Sequence, residues 1–593
     1  MRRRDFVTLV SGSAAGLLLP AGNAVANDKV ALVTPSIAEV QGHQAAAVLP
    51  GQQEAARINS GTILMNSGGG MGYSTPKMLA NLGYNSMVVG NAGLLQTFDT
   101  FAYGRLPEGS PERAWVEERI AGLRDEIHKG RAAGLTTYSG IDIIVLPKRI
   151  IDRLASNIGD GKGRVDITRP KTQELFRAQM RGVFDTFPEL DGVLIRTGEV
   201  YLHGQPYHGT NTEAQEALTN GGTAILHGER SHIEILKVLR DEVCAKLGKK
   251  LIYRTWDFHE NFHENRVFYA SVTDQIEPHP NLVFSIKHQK GDFLRLTVFN
   301  PTLMLGKHRQ IVEVQCQREV YGKGAYPFYV GQGVIEGWEE YEWMMYPTDP
   351  KGLRDIVGHP LYAGLWTWSR GGGWDGPVIK NEFWIAMNTF VMNEYAKNTR
   401  RTEPEIFANY VHTIGLQPED GAKLREICLL SSRAVLRGQC TILGAAIDLW
   451  WNRDDKMGLP DLSDFLGKGL VERAIAEKAE SVAMWAQMEA IAPTIRFPDE
   501  STHDFVVTSC TYGRLKHAVV AEAWTVILLG DVGEATGTYD KPRIRAAIER
   551  YDALWREWKQ LEATQPTCSS LYHDYGFRNK PGVGAAVNKL REL

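Results

Sequence analysis

Carboxylates stand directly after several apolar runs of the sequence, where they could do acid–base chemistry. Glu199, Asp292 and Glu319 each follow such a run, and Asp257 and Glu260 follow another. Two carboxyl groups can divide the work of hydrolysing a glycosidic bond. One donates a proton to the leaving oxygen, and the other activates water or attacks the sugar carbon. We therefore predict Glu199, Asp292 and Glu319 as catalytic residues, with Asp257 and Glu260 as further candidates.

Cationic side chains accompany these carboxylates. Arg196, Arg254 and Lys287 lie at the ends of apolar runs, followed by His288 and, further along, Arg295. A planar guanidinium can hold a carboxylate through two hydrogen bonds. The cations therefore either neutralise the carboxylates of the site or bind an anionic substrate, for which a uronic acid is the natural sugar. We predict Arg196, Arg254, Lys287 and His288 as substrate-binding residues.

A competing motif follows the run that ends at Arg254. The segment His259–His263 (HENFH) matches H-E-x-x-H, the signature of zinc peptidases. That motif requires a helix, so that both histidines share one face. Here it falls in a polar stretch close behind a strand, which favours a loop. A zinc metallohydrolase stays an alternative, while the prediction is a site without metal and an enzyme without cofactor.

Eight apolar runs must position these residues. They centre near residues 63, 87, 143, 194, 252, 284, 312 and 364, and most are separated by helical segments. Strands that alternate with helices form parallel βαβ units, and eight of them suit a closed barrel. Gly68–Gly70 do not form the G-x-G-x-x-G pattern of a nucleotide-binding sheet. We predict an α/β fold, a (β/α)8 TIM barrel over 61–378, with its site at the carboxyl ends of the strands.

The sequence after residue 378 turns helical. Helical spacing of apolar residues is found in Glu405–Ile414, Gly421–Leu436 and Asp464–Ala490, and again after Pro542. We therefore predict an α-helical C-terminal domain over 379–593 that packs on the barrel.

The N-terminus has the pattern of an export signal. Arg2–Arg4 precede an apolar run, Val7–Leu19, and Ala24–Ala26 (AVA) provides an A-x-A cleavage site. We predict a twin-arginine signal peptide over 1–26, a lead-in segment over 27–60, and a periplasmic or secreted protein.

Bulk properties exclude several partners. The 593 residues carry a net charge of −4 with no basic block, which argues against a nucleic-acid partner. No other run approaches the ~18 apolar residues of a membrane span, so no membrane insertion is expected after signal cleavage. None of the six cysteines forms a C-x-x-C pair. We expect mostly buried free thiols and leave open one disulfide in the C-terminal half. A homodimer is also left open.

The segment Lys287–Glu319 resembles the core of the α-glucuronidases of glycoside hydrolase family 67. That family has a Lys, then Gly-x-x-Asp-Phe-Gln, then an apolar strand closing on Gln-Glu-Tyr-x-Gly-Gln. This chain has Lys287, Gly291–Phe293 (GDF) and Gln317–Gly322 (QREVYG). Upstream, Glu199 and the later Gly204–Pro206 (GQP) are similar to the family's acid motif.

The resemblance implies an inverting enzyme that releases a uronic acid. Glu199 would be the general acid, Asp292 and Glu319 would hold the attacking water, and Arg254, in a segment similar to the family's Trp-Arg-Ala-Phe, would bind the uronate. Inversion implies ~6.5–9.5 Å between acid and base carboxyls. A separation of ~5 Å would favour retention, with Glu319 as nucleophile and Glu199 as acid/base.

The chain also departs from the family pattern. We expect a divergent relative without the family's N-terminal β-domain. The eighth apolar run is rich in tryptophan, and we predict Trp366, Arg370 and Trp374 as further substrate-binding residues. The expected partner is an oligosaccharide or polysaccharide substrate, and the expected process is polysaccharide degradation. A uronate polysaccharide lyase and a non-catalytic glycan-binding protein stay open as alternatives.

Overall fold

The predicted signal peptide and lead-in segment lie outside the residues described by the structure, which is a computed structural model. All described residues belong to one compact unit. They are residues 62–67, 75–99, 101, 105–161, 165–198, 206–209, 226, 228–257, 261–317, 321–369, 377–446, 457–574 and 581–593.

The core of the fold is a closed barrel of eight parallel strands. Neighbours around the barrel follow the order β1-β8-β7-β6-β5-β4-β3-β2, and β1 pairs with both β2 and β8. Each predicted apolar run contains or adjoins one strand, which confirms the (β/α)8 barrel. The strands are β1 (Ile63–Ser67), β2 (Ser86–Val89), β3 (Thr136–Asp142), β4 (Gly192–Arg196), β5 (Lys250–Arg254), β6 (Leu282–Lys287), β7 (Arg309–Gln315) and β8 (Tyr362–Trp368).

The barrel interior changes character along its axis. A layer of buried apolar side chains fills its lower part, among them Met65, Leu194, Ile252 and Ile311. Because side chains alternate between the two faces of a strand, the residue two positions later also points inward. On β4, β5 and β7 that residue is charged. The interior therefore becomes polar toward the carboxyl ends of the strands.

Gly364 allows the last strand to close against the first. It pairs with Ile63 and has φ +135°, which L side chains rarely adopt. A Cβ atom at this position would lie 1.9 Å from the carbonyl oxygen of Ile63. The register of β8 against β7 also shifts beside this residue. A glycine is thus required where the barrel closes.

Helices connect most of the strands. Helix Pro111–Ala132 illustrates how they begin: Ser110 accepts a hydrogen bond from the Arg113 amide, and Pro111 opens the first turn. The connection from β6 to β7, which is fully described, has no helix and carries Asp292. The described barrel helices are Pro76–Leu82, Pro111–Ala132, Lys148–Ile158, Pro170–Thr186, Gly228–Leu239 (continued by the π-helical Arg240–Lys246), Arg266–Thr273, Gly331–Glu336, Tyr341–Met344 and Leu353–Ile356.

The C-terminal region is helical, as predicted. The predicted helix Asp464–Ala490 is two helices, and a 37-residue helix was not predicted. That helix is buried around most of its circumference, so it lacks the single apolar stripe that marks a surface helix. The boundary at residue 378 stays a prediction. The helices are Phe383–Lys397, Glu403–Thr413, Pro418–Gly438, Ser463–Gly467, Val471–Ile491, Glu500–Thr536, Lys541–Thr564 and Val583–Lys589.

Arg295 joins the barrel to the helical region. Its Nε and Nη2 each donate to Glu340 at 2.6 Å, and its Nη1 donates to the carbonyl of Ser432 at 2.8 Å. The guanidinium also lies 4.3 Å from the ring of Trp338. Although Arg295 follows β6 in the sequence, its charge is used in this contact and not beside Lys287.

The six cysteines are free and buried, so the disulfide left open in the C-terminal half is not formed. Burial raises the pKa of Cys316 to about 12, which keeps it a thiol. Among the described helices, none is both long enough and apolar enough to cross a membrane.

Candidate active site

Three cations from consecutive strands meet at the carboxyl end of the barrel. Arg196, Arg254 and Lys287 are the last residues of β4, β5 and β6. Each occupies an inward position, since it follows inward-facing apolar residues at even spacing. The structure therefore gathers these three sequence-predicted residues around one mouth.

Arg196 is paired with Asp142 of the neighbouring strand. Its Nε donates to one carboxylate oxygen through a short hydrogen bond, and its Nη2 donates to the other at 2.9 Å. Asp142 is nearly inaccessible, whereas 24% of the Arg196 side chain is exposed. The guanidinium is thus oriented by two hydrogen bonds, while about a quarter of the side chain is exposed.

Arg254 is held deeper in the barrel by Glu313. Its Nε lies 2.9 and 3.0 Å from the two carboxylate oxygens, and Ser285 donates to one of them at 2.9 Å. Glu313 has no exposed surface and Arg254 only 5%. Two charges this deeply buried must be paired, because either one alone would carry a large desolvation cost.

Lys287 forms the third pair, with Asp292. Its Nζ donates to Oδ1 at 2.5 Å, and the Phe293 amide donates to the same oxygen at 3.0 Å. The ammonium also lies 3.9 Å from the ring centre of Trp256 and 4.9 Å from that of Phe293. Aromatic faces stabilise a cation in a dry environment. Asp292 keeps a somewhat larger exposed fraction than Lys287, 8% against 2%, so the carboxylate is on the more open side.

Two tryptophans of β8 form an aromatic wall beside Arg254. Trp366 and Trp368 pack with ring centres 4.8 Å apart, and the Arg254 guanidinium lies 4.6 Å from the ring of Trp368. Trp366 is 2% exposed, and its indole N–H donates to Ser67 at 2.9 Å. Trp366 belongs to the apolar layer beneath the mouth, and its predicted contact with substrate stays a prediction. The flat rings of the two tryptophans have the shape that suits the C–H face of a pyranose.

His288 is buried behind the mouth. Its Nδ1 lies 3.2 Å from the backbone carbonyl oxygen of Glu313, and its ring stacks on Phe293 at 5.4 Å. Burial lowers the pKa of His288 to about 3, so the imidazole is neutral. Its predicted role in binding substrate is therefore that of a neutral hydrogen-bonding group, and this role stays a prediction.

Asp142, Glu313 and Gln315 were missed by reasoning from the sequence. The predicted site residues are charges that follow apolar runs, whereas Asp142 and Glu313 lie inside such runs and Gln315 carries no charge. The signal was the period of two along β7: Ile311, Glu313 and Gln315 share the inward face. Glu313 interrupts the apolar residues Ile311, Val312 and Val314 and marks the level at which the barrel interior becomes polar.

Several predicted site residues lie outside the described part of the chain. These are Glu199, Glu319, Arg370 and Trp374, whose roles stay predictions. The described residue before Glu199 is Gly198, where a Cβ atom would lie 2.2 Å from the carbonyl oxygen of Trp256. This close approach places the end of β4 directly against the end of β5.

The residues that flank Glu319 have unusual backbone conformations. Gln317, Tyr321 and Lys323 all have positive φ, at 81°, 43° and 48°. The Gln317 side chain donates to the carbonyl of Tyr326 at 2.5 Å. Backbone strain of this kind costs energy, and it clusters where a protein fixes functional groups.

The H-E-x-x-H motif is only partly described, since His259 and Glu260 lie outside. His263 lies in a turn, and its two ring nitrogens contact Thr255 Oγ1 at 2.8 Å and Asn300 Nδ2 at 3.1 Å. The described residues hold no group of three or more histidine, cysteine or acidic side chains suited to a metal ion. His263 is thus used for hydrogen bonding in the protein interior.

Asp257 is a buried carboxyl just after β5. Its Oδ2 accepts a hydrogen bond from the Phe262 amide at 2.6 Å, while Oδ1 has no partner among the described residues. Loss of hydration raises the pKa of Asp257 from 3.8 to about 7. Asp257 therefore links the two ends of one loop and takes up a proton on folding below neutral pH.

Stability should depend on pH through Asp257. Between pH ~4 and ~7 the folded chain holds a proton that the unfolded chain has lost, so the free energy of unfolding falls as pH rises, by up to about 4 kcal/mol in total. Asp257→Asn cannot ionise but can still accept from Phe262. In thermal unfolding from pH 5 to 8, the Tm of Asp257→Asn should rise relative to that of the wild type as the pH increases. Parallel curves for the two proteins would contradict this assignment.

No protein-family model matches the chain, and neither does any sequence among the curated proteins. Solved structures with a similar trace include one described as a GH138 enzyme targeting pectin rhamnogalacturonan II. It has 11% identity and a TM-score of 0.49, over 87% of this chain and 62% of that one. This chain thus spans less than two thirds of that structure.

Two further structures align over most of this chain. CpGH84B has 9% identity and a TM-score of 0.41, over 89% of this chain and 76% of its own. A mutant O-GlcNAc hydrolase of Thermobaculum terrenum has 8% identity and a TM-score of 0.34, over 87% and 88%. None of these three descriptions refers to family 67. These values describe a distant likeness, and the barrel itself rests on the strand pairing.

Proposed function

We propose that the chain is a glycoside hydrolase acting on uronic-acid-containing oligosaccharides, in the manner of an inverting α-glucuronidase. The observation that carries this proposal is the Lys287–Asp292 pair at the barrel mouth, where the Lys287 ammonium lies 3.9 Å from the ring centre of Trp256. It combines a carboxylate positioned by a cation with an aromatic surface, at the end of the barrel where such folds place their active sites.

Asp292 is the described member of the proposed water-activating pair. A carboxylate that accepts hydrogen bonds from an ammonium and a backbone amide is held in one orientation, which a general base requires. In the proposed reaction Asp292, together with Glu319, takes a proton from water as the water attacks the anomeric carbon. Glu199 donates a proton to the leaving oxygen, and the configuration inverts.

The cations supply recognition of the sugar carboxylate. Arg196, Arg254 and Lys287 each pair with a carboxylate of the protein, so both arginines already donate hydrogen bonds within the site. Arg254 lies at the barrel mouth, 4.6 Å from the ring of Trp368, and a planar guanidinium matches the geometry of a carboxylate. We propose that the Arg254 guanidinium binds the uronate, with Arg196 and Lys287 supporting the negative charge.

The experiment is product analysis on a panel of uronic-acid oligosaccharides, with matched neutral oligosaccharides as controls. Release of a free uronic acid whose first-formed anomer is inverted, followed by NMR, supports the proposal. A first product of retained configuration would indicate the retaining alternative, with Glu319 as nucleophile.

Other products would point to the other classes. An ultraviolet-absorbing unsaturated product would indicate a uronate lyase, and loss of activity with a chelator would indicate a zinc hydrolase. Binding without turnover would indicate a glycan-binding protein. We further propose export through the twin-arginine signal, which fractionation of the producing cells would test.

A further inference from the structure

One buried side chain at the barrel mouth has no described hydrogen-bond partner. Gln315 is the last residue of β7 and shares the inward face with Ile311 and Glu313. It has no exposed surface. Neither its Oε1 nor its Nε2 makes a hydrogen bond to any described residue. Both ends of an amide are thus held in a dry environment without partners.

The neighbouring strand adds a third such atom. Trp368 is the last residue of β8 and pairs in register with Gln315. Its indole N–H is also buried and lacks a partner within the described ranges. The ring lies 4.6 Å from the Arg254 guanidinium and 6.2 Å from Phe293, which places it at the mouth.

Unpaired buried polar groups are costly, and proteins satisfy nearly all of them. The charged neighbours of Gln315 follow that rule, since Arg254, Glu313 and Lys287 all have partners. An apolar side chain in place of Gln315 would leave the empty protein more stable. A bound ligand that hydrogen-bonds to the Gln315 amide would explain why a polar side chain occupies this position.

We propose that Gln315 and Trp368 form the subsite that recognises hydroxyl groups of the sugar ring. An amide can accept from one hydroxyl through Oε1 and donate to its neighbour through Nε2. The Trp368 indole donates to a further sugar oxygen. The ligand class is a pyranose with adjacent hydroxyls. This inference rests on the proposed function, since it assigns the contacts made by the same site.

The test is Gln315→Met, which keeps the length of the side chain and removes its polar atoms. In the absence of sugar, the variant should have a Tm equal to or about 1–3 °C above that of the wild type. Its Kd for D-glucuronic acid, or for D-glucose if only neutral sugars bind, should rise about 10-fold or more, since two hydrogen bonds to the sugar are lost. Trp368→Phe should weaken binding in the same direction.

Gln310→Met is the matched control on the same strand. Gln310 is equally buried, but its amide accepts from the Met304 amide at 2.7 Å and donates to Tyr269 at 3.0 Å. This variant should lower the Tm and leave the Kd for sugar unchanged.

The outcomes separate this inference from the proposed function. A clearly lower Tm for Gln315→Met would show that a protein group or a trapped water already satisfies the amide, and would overturn the subsite. Unchanged sugar affinity, or no affinity in the wild type, would overturn it too. If Gln315→Met hydrolysed the substrate with unchanged kcat and KM, the subsite would be overturned and the proposed function would be kept. Gln315-dependent binding of sugar without hydrolysis would leave only the subsite.

Discussion

Replacing Asp292 by asparagine should lower kcat on a uronic-acid oligosaccharide by about 10³-fold, because a positioned general base contributes ~10²–10⁴ to rate. An amide keeps the shape of the carboxylate but cannot take a proton from water. KM should change little, since the lost interaction acts in the transition state. Steady-state kinetics on wild type and variant provide the measurement.

Asp349→Asn is the control for the Asp292 variant. Asp349 is exposed and lies away from the strand ends, so its replacement should leave kcat unchanged. Asp292→Asn also removes the charge partner of Lys287, so its Tm must be measured beside its rate. A variant that keeps more than a tenth of the wild-type kcat would exclude Asp292 as the base.

Glu313→Leu should destabilise the protein by about 3–5 kcal/mol, because it removes a buried carboxylate that is paired with the buried Arg254 guanidinium. The double variant Arg254→Met/Glu313→Leu should recover most of that loss, since apolar side chains of similar volume tolerate the same environment. The double variant should nevertheless fail to bind D-glucuronic acid. Urea unfolding and calorimetric titration provide the two measurements.

The exposed pair Arg354–Glu336 is the matched control for Arg254–Glu313. Its Nη2–Oε1 distance is 2.6 Å, with about a third of each side chain exposed. Glu336→Gln should cost no more than about 1 kcal/mol, because exposed ion pairs contribute little. If Glu313→Leu cost no more than Glu336→Gln, burial would not make the Arg254–Glu313 pair stronger than an exposed one. If the double variant still bound the uronic acid, Arg254 would not be the carboxylate-binding residue.

The architecture could be predicted because its signals are local. An apolar run of five or six residues is buried on both faces only in the middle of a layered fold, and alternation with helices fixes parallel strands. The long helix Glu500–Thr536 shows the limit of this reasoning. It is buried on nearly every side, and its pattern therefore has no polar face to set its period.

The candidate site was predictable at the strand ends and not between them. Arg196, Arg254 and Lys287 were found because a charge at the end of an apolar run is visible in the sequence. Their partners Asp142 and Glu313 lie more than 50 residues away in sequence, and only the pairing and order of the strands bring them to these cations.

The sequence by itself determined the barrel, the helical C-terminal region and the cations at its mouth, because strand period and strand ends are properties of neighbouring residues. Only the tertiary structure decided how each charge is used. Lys287 ends β6 and Arg295 follows it by eight residues, yet Lys287 pairs with Asp292 at the mouth and Arg295 is buried against Glu340. The path of the chain after β6 decides which carboxylate each cation meets, because a buried cation must pair with an opposite charge in the same buried environment.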